Sequence, residues 1–369
     1  LWCEGLLFEA GWLNAGGLNA GWFTASLLLV AAAIDFVVGD PWGWPHPVQW
    51  MGKAIELYCK RIIAWSLPPV GMRLAGIGLT VIVVGGTAAL SIAGLTLLAQ
   101  VGIWLQWVIE TILLASCFAG RSLRRAAEEV QDAMGPSDDS GSVISDDSGD
   151  DLTDDRTSAN LTLARERLAM YVGRDTHQLE AAEIRRAVLE TVSENGVDGV
   201  LAPLFYAIVG ALLGWAAPVA LAYKAVSTLD SMVGYKEAPY TDLGWFSAKF
   251  EDILTWLPCR LSVLTIAMLS GTPGEVLRLC WRDARSDPSP NAGWSECAYA
   301  AALGVQLGGE NTYRGIVKVK PPLGNALRPI TNQVIVSALG LTRQCFLIGL
   351  VCGVGGCLLV NRTDRKSTR

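Results

Sequence analysis

Five short polar clusters interrupt an otherwise apolar chain, and each combines residue types that can hold charge or move a proton. In the first, Gly39-Asp40-Pro41 precedes Pro45-His46-Pro47-Val48. Prolines on both sides hold the imidazole of His46 on a stiff, extended loop. The second, Gly173-Arg174-Asp175-Thr176, is expected to open a helix. Asp175 or Thr176 would cap its N-terminus, and such a terminus with Arg174 beside it also suits a phosphate. The third, Glu194-Asn195-Gly196-Val197-Asp198-Gly199, places two carboxylates and an amide within five residues, a donor set for a hard cation such as Mg²⁺. The fourth runs from Ser227 to Lys236, with Ser227, Asp230, Ser231 and Gly234 on one helical face. An acid on an apolar helix is costly unless it has a partner or a purpose. The fifth, Asp283 to Trp294, is a proline-stiffened loop carrying Arg285, Asp287 and Asn291. Each cluster also has a plainer reading, as a membrane-edge turn, a helix cap, polar packing between helices or a chain reversal.

The elements that must position these clusters are helices in a membrane. Of 369 residues, 51% are hydrophobic and only 17% charged, and the mean hydropathy is +0.36. That excludes a disordered chain and an ordinary soluble enzyme. The net charge of −6 is local. Eight Asp lie between Asp138 and Asp155 with no Lys or Arg among them, and without them the net is +2, from −6 + 8. No basic footprint for nucleic acid remains.

Trp22–Val38 and two spans at roughly 74–98 and 101–119 read as three transmembrane helices. They make up 22–120, with a loop at 39–73. Basic residues in that loop and after the third span place both on the cytoplasmic side, with the N-terminus outside. Residues 1–21 lack Lys and Arg and begin at Leu1, and they read as a loose tail rather than a signal peptide. Residues 121–200 read as a cytoplasmic helical segment. Within it the insert 135–160, rich in Ser, Asp and Gly, is expected to be disordered, with helix resuming near Leu161 and again from about Thr176 to Glu194. Residues 201–360 read as a helical hairpin broken at Gly214 and Pro218, further membrane helices and a polar loop at 271–330. Residues 361–369 form a basic tail. No strand pattern stands out, so the fold class is all-α, a polytopic helical bundle. The nine cysteines form no C-x-x-C pair and read as small buried hydrophobes. Walker, dinucleotide, zinc-protease and serine-hydrolase motifs are missing.

In this order, the clusters resemble the CobD/CbiB family of cobalamin biosynthesis, the adenosylcobinamide-phosphate synthases. The resemblance is carried by DFVVGDPWGWPHPVQWMG (Asp35–Gly52), VGRDT (Val172–Thr176) and SENGVDGVLAPLF (Ser193–Phe205). AVSTLDSMVGYKEAPY (Ala225–Tyr240), DLGWFSAKFEDILTWLPCR (Asp242–Arg260) and DARSDPSPNAGWSECAYAAALGVQLGG (Asp283–Gly309) extend it to about residue 345. Two departures are Ser227, where the family commonly has Asn, and the acidic insert.

The resemblance implies an amide ligation, which joins the propionate carboxylate of adenosylcobyric acid to (R)-1-amino-2-propanol O-phosphate or aminopropanol. ATP would activate the carboxylate and Mg²⁺ would assist. Such chemistry needs carboxylates for the metal and cations for phosphate oxygens. Within the matching clusters, Glu194, Asp198 and Asp230 are the expected Mg²⁺ ligands. Arg174 and Lys236 are expected on phosphate, with Asn195, Ser227, Arg285 and Asn291 as further substrate contacts. Asp175, His46 or Asp287 would take the proton from the attacking ammonium. The expected setting is the bacterial plasma membrane, crossed several times, with the active-site loops cytoplasmic. The partners are the two substrates, the lipid bilayer, and a second copy or a later membrane enzyme of the pathway, with no nucleic acid. Other readings are a membrane sensor or regulator of the AmpE type, or a transporter.

Overall fold

The computed structural model describes residues 20–40, 43, 46–135 and 151–367. The loose tail and most of the acidic stretch, 136–150, lie outside them. Helices dominate and the all-α membrane class holds, with one small two-stranded sheet. Among the described residues, five helical stretches are long and apolar enough to cross a membrane: Pro69–Val101, Ile103–Met134, Ala181–Leu212, Trp245–Leu269 and Asn332–Leu359. Gly21–Val37 is a shorter apolar helix. The chain is a multi-pass membrane protein. It forms two compact units, each assembled from separate stretches of sequence.

The first unit comprises residues 1–121, 202–255 and 346–369. It holds α1 (Ala20–Val37), α2 (Pro47–Ala64) and α3 (Pro69–Thr80), a π-helical turn (Val81–Gly85), then α4 (Gly86–Val101) and α5 (Ile103–Ala115). The hairpin expected after Leu201 is present as α9 (Ala202–Leu212) and α10 (Ala216–Val233), turning at Gly214 with φ +78°. α10 packs against α2, α4, α5 and α9. Its buried Ala217, Ala220 and Ala225 let neighbouring backbones approach closely, the usual device where lipid removes the hydrophobic drive between helices. α11 (Trp245–Leu269) begins here and runs through Pro258 unbroken. Proline cannot donate to the carbonyl four residues back. In α11 that carbonyl, of Leu254, accepts instead from Tyr206 Oη at 2.9 Å.

The second unit comprises residues 122–201 and 256–345. Most of α6 (Gly120–Met134) lies in it, followed by α7 (Asp151–Ala169) and α8 (Ala181–Asn195), which continues into a second π-helical turn (Gly196–Leu201). α12 (Pro273–Asp283) and α13 (Ala292–Leu303) follow, then the strands β1 (Gln306–Tyr313) and β2 (Ile316–Gly324) and the start of α14 (Asn332–Ser367). Ile184, Val188, Leu189, Leu279, Cys280 and Tyr299 are buried.

Three local expectations need correcting. α7 begins at Asp151, ten residues ahead of Leu161, because its N-terminal Asp residues suit a helix start. α8 begins at Ala181 rather than Thr176, capped by Glu180, whose backbone N–H donates to Glu183 at 3.0 Å. Residues 306–324 form an antiparallel hairpin where only polar loop was expected. Its two-residue turn, Arg314-Gly315, takes positive φ at both positions, as such turns require. The eight described cysteines are free, and all but Cys352 are buried.

Candidate functional site

In the second unit, α8 sets Arg186, Glu190 and Glu194 at four-residue intervals on one face. Glu190 is nearly fully buried and fully engaged. Arg174 Nη2 donates to its Oε2 at 2.5 Å, while Arg186 Nη1 at 3.3 Å and the backbone N–H of Gly308 at 3.0 Å reach its Oε1. Arg174 Nη1 also donates to Asn311 Oδ1 at 2.7 Å, and Arg186 Nη2 to the carbonyl of Glu310 at 2.8 Å. The hairpin is thereby fastened to α8.

One turn further along, Glu194 and Asn195 are exposed. Glu194 nevertheless lies within charge range of Lys320, Asp287, Glu190 and Arg174, none of them exposed. An exposed residue thus borders a group of charged side chains that are not exposed, the charged well of this unit. Gly196 then starts the π turn, where a Cβ would come within 3.1 Å of Tyr299 Oη and 3.3 Å of Thr342 Oγ1. Those two hydroxyls lie 2.6 Å apart. In an α-helix Glu194 and Asp198 would share a face. The π turn widens the spiral between them, a distortion frequent at functional sites.

Lys320, on β2, is the cation at the centre of this group. Its Nζ lies 2.6 Å from Glu296 Oε1 and 3.3 Å from Asp287 Oδ2. Burial alone would lower the lysine, but the carboxylates of Glu296 and Asp287 outweigh it and hold the ammonium above its ordinary value. Glu296 is pushed up to about 8, by burial first and then by the neighbouring carboxylates of Glu194 and Glu190, against the pull of Lys320. The two upward shifts differ in origin: burial leads for Glu296, while the neighbouring carboxylates outweigh burial for Lys320.

Other expected site residues of this unit have structural partners. Asp175 is half-buried and its carboxylate accepts the turn N–H groups of Arg314 at 3.1 Å and Gly315 at 2.8 Å, which hold it below the usual carboxylate range. It clasps the hairpin turn and caps no helix. Asn291 is buried and accepts from Arg260 Nη1 at 3.1 Å, and that guanidinium lies over the rings of Trp256 and Trp294. The guanidinium of Arg285 lies 3.6 Å from the ring centroid of Trp281. Asp287 Oδ1 accepts from the N–H of Ser289 at 2.8 Å.

In the first unit, His46 is the N-cap of α2. Its Nδ1 accepts from Val48 N–H at 3.2 Å, and Nε2 lies 3.2 Å from Asp40 Oδ1. The buried Asp35 accepts the backbone N–H groups of Gly120 and Arg121 and lies within charge range of Asp40 and Lys224. Ser227 and Asp230 are half-buried on α10, and a Cβ at Gly234 would come within 2.2 Å of Asp230 Oδ1. Lys236 is exposed beyond the end of that helix.

These residues lie in the stretches that known proteins share with this chain. The family model described as CobD/Cbib protein matches residues 28–143 and 145–342, breaking only inside the acidic stretch. The chain belongs to the CobD/CbiB family. It is 46% identical over 328 residues to the cobalamin biosynthesis protein CobD of Synechocystis sp., covering 88% of this chain and 89% of that one. It is 39% identical over 338 residues to the cobalamin biosynthesis protein CbiB of Salmonella choleraesuis, covering 89% and 97%. To the CobD of Yersinia enterocolitica it is 38% identical over 332 residues, covering 89% and 96%. No solved structure matches the chain.

For this CobD/CbiB chain, sequence reasoning missed Glu190, Arg186, Glu296, Lys320, Asn311 and Lys224. Glu190 and Arg186 stand four and eight residues before Glu194, a periodic signal that was available. Glu296 is a lone acid in an apolar helix, and Lys320 lies in a stretch with no expected strand. Among the described residues, no group of three or more His, Cys, Asp or Glu is placed to hold a metal ion. Mg²⁺ asks for less, since it keeps several waters and takes one or two carboxylates plus substrate phosphates. The carboxylates of Glu194 and of Asp198, four residues on, fit that smaller demand. Asp230 belongs to the first unit.

Proposed function

We propose that this CobD/CbiB protein joins the propionate carboxylate of adenosylcobyric acid to an amine, (R)-1-amino-2-propanol O-phosphate or aminopropanol, forming the amide of adenosylcobinamide phosphate or adenosylcobinamide. The observation that carries the reading is the charged well of the second unit. There Glu190, Glu194, Asp287 and Glu296 meet Arg174, Arg186 and Lys320, and the exposed Glu194 and Asn195 stand at its border. A ligation of a carboxylate to an amine needs groups for an ammonium and groups for anions in one place, and this well supplies both.

A free carboxylate is a poor acyl donor because oxide is a poor leaving group, and ATP would supply a better one by phosphorylation. Mg²⁺, held by Glu194 and Asp198, would neutralise phosphate charge; Asp230 is a separate candidate on the first unit. Arg174 is the proposed phosphate contact of the second unit, with Asn195, Arg285 and Asn291 as further contacts there; Lys236 and Ser227 are the corresponding candidates on the first unit. In this reading Arg174 acts chiefly by fixing Glu190 within the well, since both of its terminal nitrogens already donate. Among Asp175, His46 and Asp287, Asp287 is best placed to take the amine's proton, because it lies in the well. The protein is placed in the bacterial plasma membrane with the well on the cytoplasmic side, where ATP is available and where the basic loops point. A homo-oligomer or a later membrane enzyme of the pathway is the proposed protein partner.

The test is turnover by detergent-purified full chain given adenosylcobyric acid, ATP, Mg²⁺ and either amine, with product mass as readout. A corrinoid of the amide mass is expected, and it also names the amine. Folded protein that yields no product and binds no corrinoid overturns the reading in favour of a sensor or transporter.

A further inference from the structure

Outside the well, the second unit carries a run of aromatic and guanidinium groups on its surface. Arg260 of α11 lies 5.2 Å from the ring centroid of Trp256 and 4.6 Å from that of Trp294 on α13. Trp294 meets Trp281 of α12 edge-on at 6.4 Å, and Arg285, just past α12, lies 3.6 Å from the Trp281 centroid. Trp256 and Trp281 are 50% and 62% exposed. On α12, Arg278 stands three residues before Trp281 and Arg285 four after it, so two exposed arginines flank an exposed ring on one face. Among the described residues neither meets a carboxylate. The third arginine here, Arg282, is taken by Asp283, and Glu275 lies in the first turn of α12, where its charge answers the helix N-terminus. The run borders an apolar stripe. Leu257, Leu261, Leu264 and Met268 are exposed on α11 at steps of four, three and four, which is one face of a helix apolar enough to cross a membrane.

We propose that this surface holds an anionic phospholipid of the surrounding bilayer, with Arg278 and Arg285 on its phosphate, Trp281 at the headgroup boundary and the α11 stripe along its acyl chains. Tryptophan favours that boundary because its ring is apolar and its N–H polar. Arginine can lay its stem on apolar surface and reach outward with a planar fork suited to phosphate oxygens. Arg260 plays a different part. Its terminal nitrogens already donate to Asn291 Oδ1 at 3.1 Å and to the carbonyl of Pro290 at 2.8 Å, and two rings cover its charge. It carries the run from α11 across to α12. Two other occupants fit less well. A soluble phosphate would use the arginines but not the stripe beside them. A second copy of the chain, meeting this face with its own across a two-fold axis, would bring arginines against arginines. The inference gives Arg285 a lipid phosphate in place of a substrate and leaves the well as it stands.

The experiment is native mass spectrometry of the detergent-purified full chain, titrated with phosphatidylglycerol or with phosphatidylcholine of the same acyl chains. One spectrum then counts both the bound lipids and the copies of the chain. The wild type should retain phosphatidylglycerol in preference to phosphatidylcholine. Arg278→Gln combined with Arg285→Gln should weaken phosphatidylglycerol binding by about tenfold or more, since each basic side chain near an anionic headgroup contributes roughly a fivefold preference. Trp281→Ala should weaken both lipids alike, because the ring acts without regard to headgroup charge. Arg314→Gln, which removes an exposed cation at the hairpin turn, should keep the wild-type preference. All four side chains are exposed, and an unchanged unfolding midpoint confirms that the variants fold. Equal retention of the two lipids by the wild type, an unchanged preference in the double variant, or an equal loss in Arg314→Gln would each overturn the proposal. Displacement of phosphatidylglycerol by millimolar inorganic phosphate or ATP would overturn it in favour of a soluble anion. Loss of a second copy in the double variant, with lipid binding unmoved, would overturn it in favour of self-association.

Discussion

Arg174 and Glu190 meet through a 2.5 Å hydrogen bond, and the same guanidinium reaches Asn311 Oδ1 at 2.7 Å on β1. One side chain therefore ties the segment before α8, the helix itself and the hairpin into a single frame. Arg174→Ala removes one of the two guanidinium groups on a buried carboxylate, and breaking such a pair costs about 3–5 kcal/mol. A large fall in the thermal unfolding midpoint in detergent is expected. Arg174→Lys should recover only part of it, because an ammonium cannot span both acceptors as a planar fork does. The double variant Arg174→Ala with Glu190→Gln should be less destabilised than the sum of the two singles. Simple additivity would show that the pair is not coupled.

Asp175 gives the hairpin a pH dependence of known sign. Its folded value is depressed by the turn N–H groups of Gly315 and Arg314, so its contribution is fully present above the unfolded value near 4 and is lost as pH falls through the folded one. Amide exchange at residues 306–324 should accelerate below about pH 4, while α8 and α13 stay protected. Asp175→Asn should show the accelerated exchange at neutral pH. A hairpin equally protected in that variant would mean that the turn holds itself.

Among Glu190, Glu194, Asp287 and Glu296, Glu194 is the residue with exposed surface, so its neutral analogue perturbs packing least. Glu194→Gln should leave the unfolding midpoint within a few degrees and lower kcat by roughly a hundredfold or more, as expected for loss of a charge that acts in the transition state. Full activity in the variant would remove Glu194 from the proposed Mg²⁺ contacts.

The sequence displays most of the fold, because lipid imposes long apolar runs and those runs are one-dimensional. Gly214 and Pro218 mark the α9–α10 hairpin at sight. The hairpin at 306–324 was hidden because only Leu307 and Leu323 among its side chains are conspicuously buried and apolar, so its strands lack the alternation that betrays a half-buried sheet. The site was legible in part. Glu194, Arg174 and Asp287 stand in dense polar motifs and do converge. Glu296 and Lys320 were invisible because they lie 24 residues apart in unremarkable settings, and only the packing of β2 on α13 makes them partners. Asn291 and Asp175, named from the same motifs, also hold structure in place, Asn291 by accepting from Arg260 and Asp175 by accepting the hairpin turn N–H groups.

The final prediction concerns how the first unit closes around Leu243-Gly244. Leu243 is fully buried, and its carbonyl lies so close to α3 that a Cβ on Gly76 would come within 2.0 Å of it. On the other side, a Cβ on Gly244 would come within 1.6 Å of the carbonyl of Val233, at the end of α10. The obstacles are backbone atoms, which cannot rotate away as a flexible side chain can. Gly76→Ala and Gly244→Ala should each destabilise by at least the 1–3 kcal/mol or so typical of overpacking, and should lower the yield of monodisperse protein in detergent. Gly94→Ala is the control. It lies within α4 with nothing within 4 Å of the added methyl, and alanine is favoured over glycine in a helix by about 1 kcal/mol. Its unfolding midpoint should stay level or rise. If all three variants behave alike, the close approach of Leu243 to α3 and of Gly244 to α10 does not exist in the membrane protein.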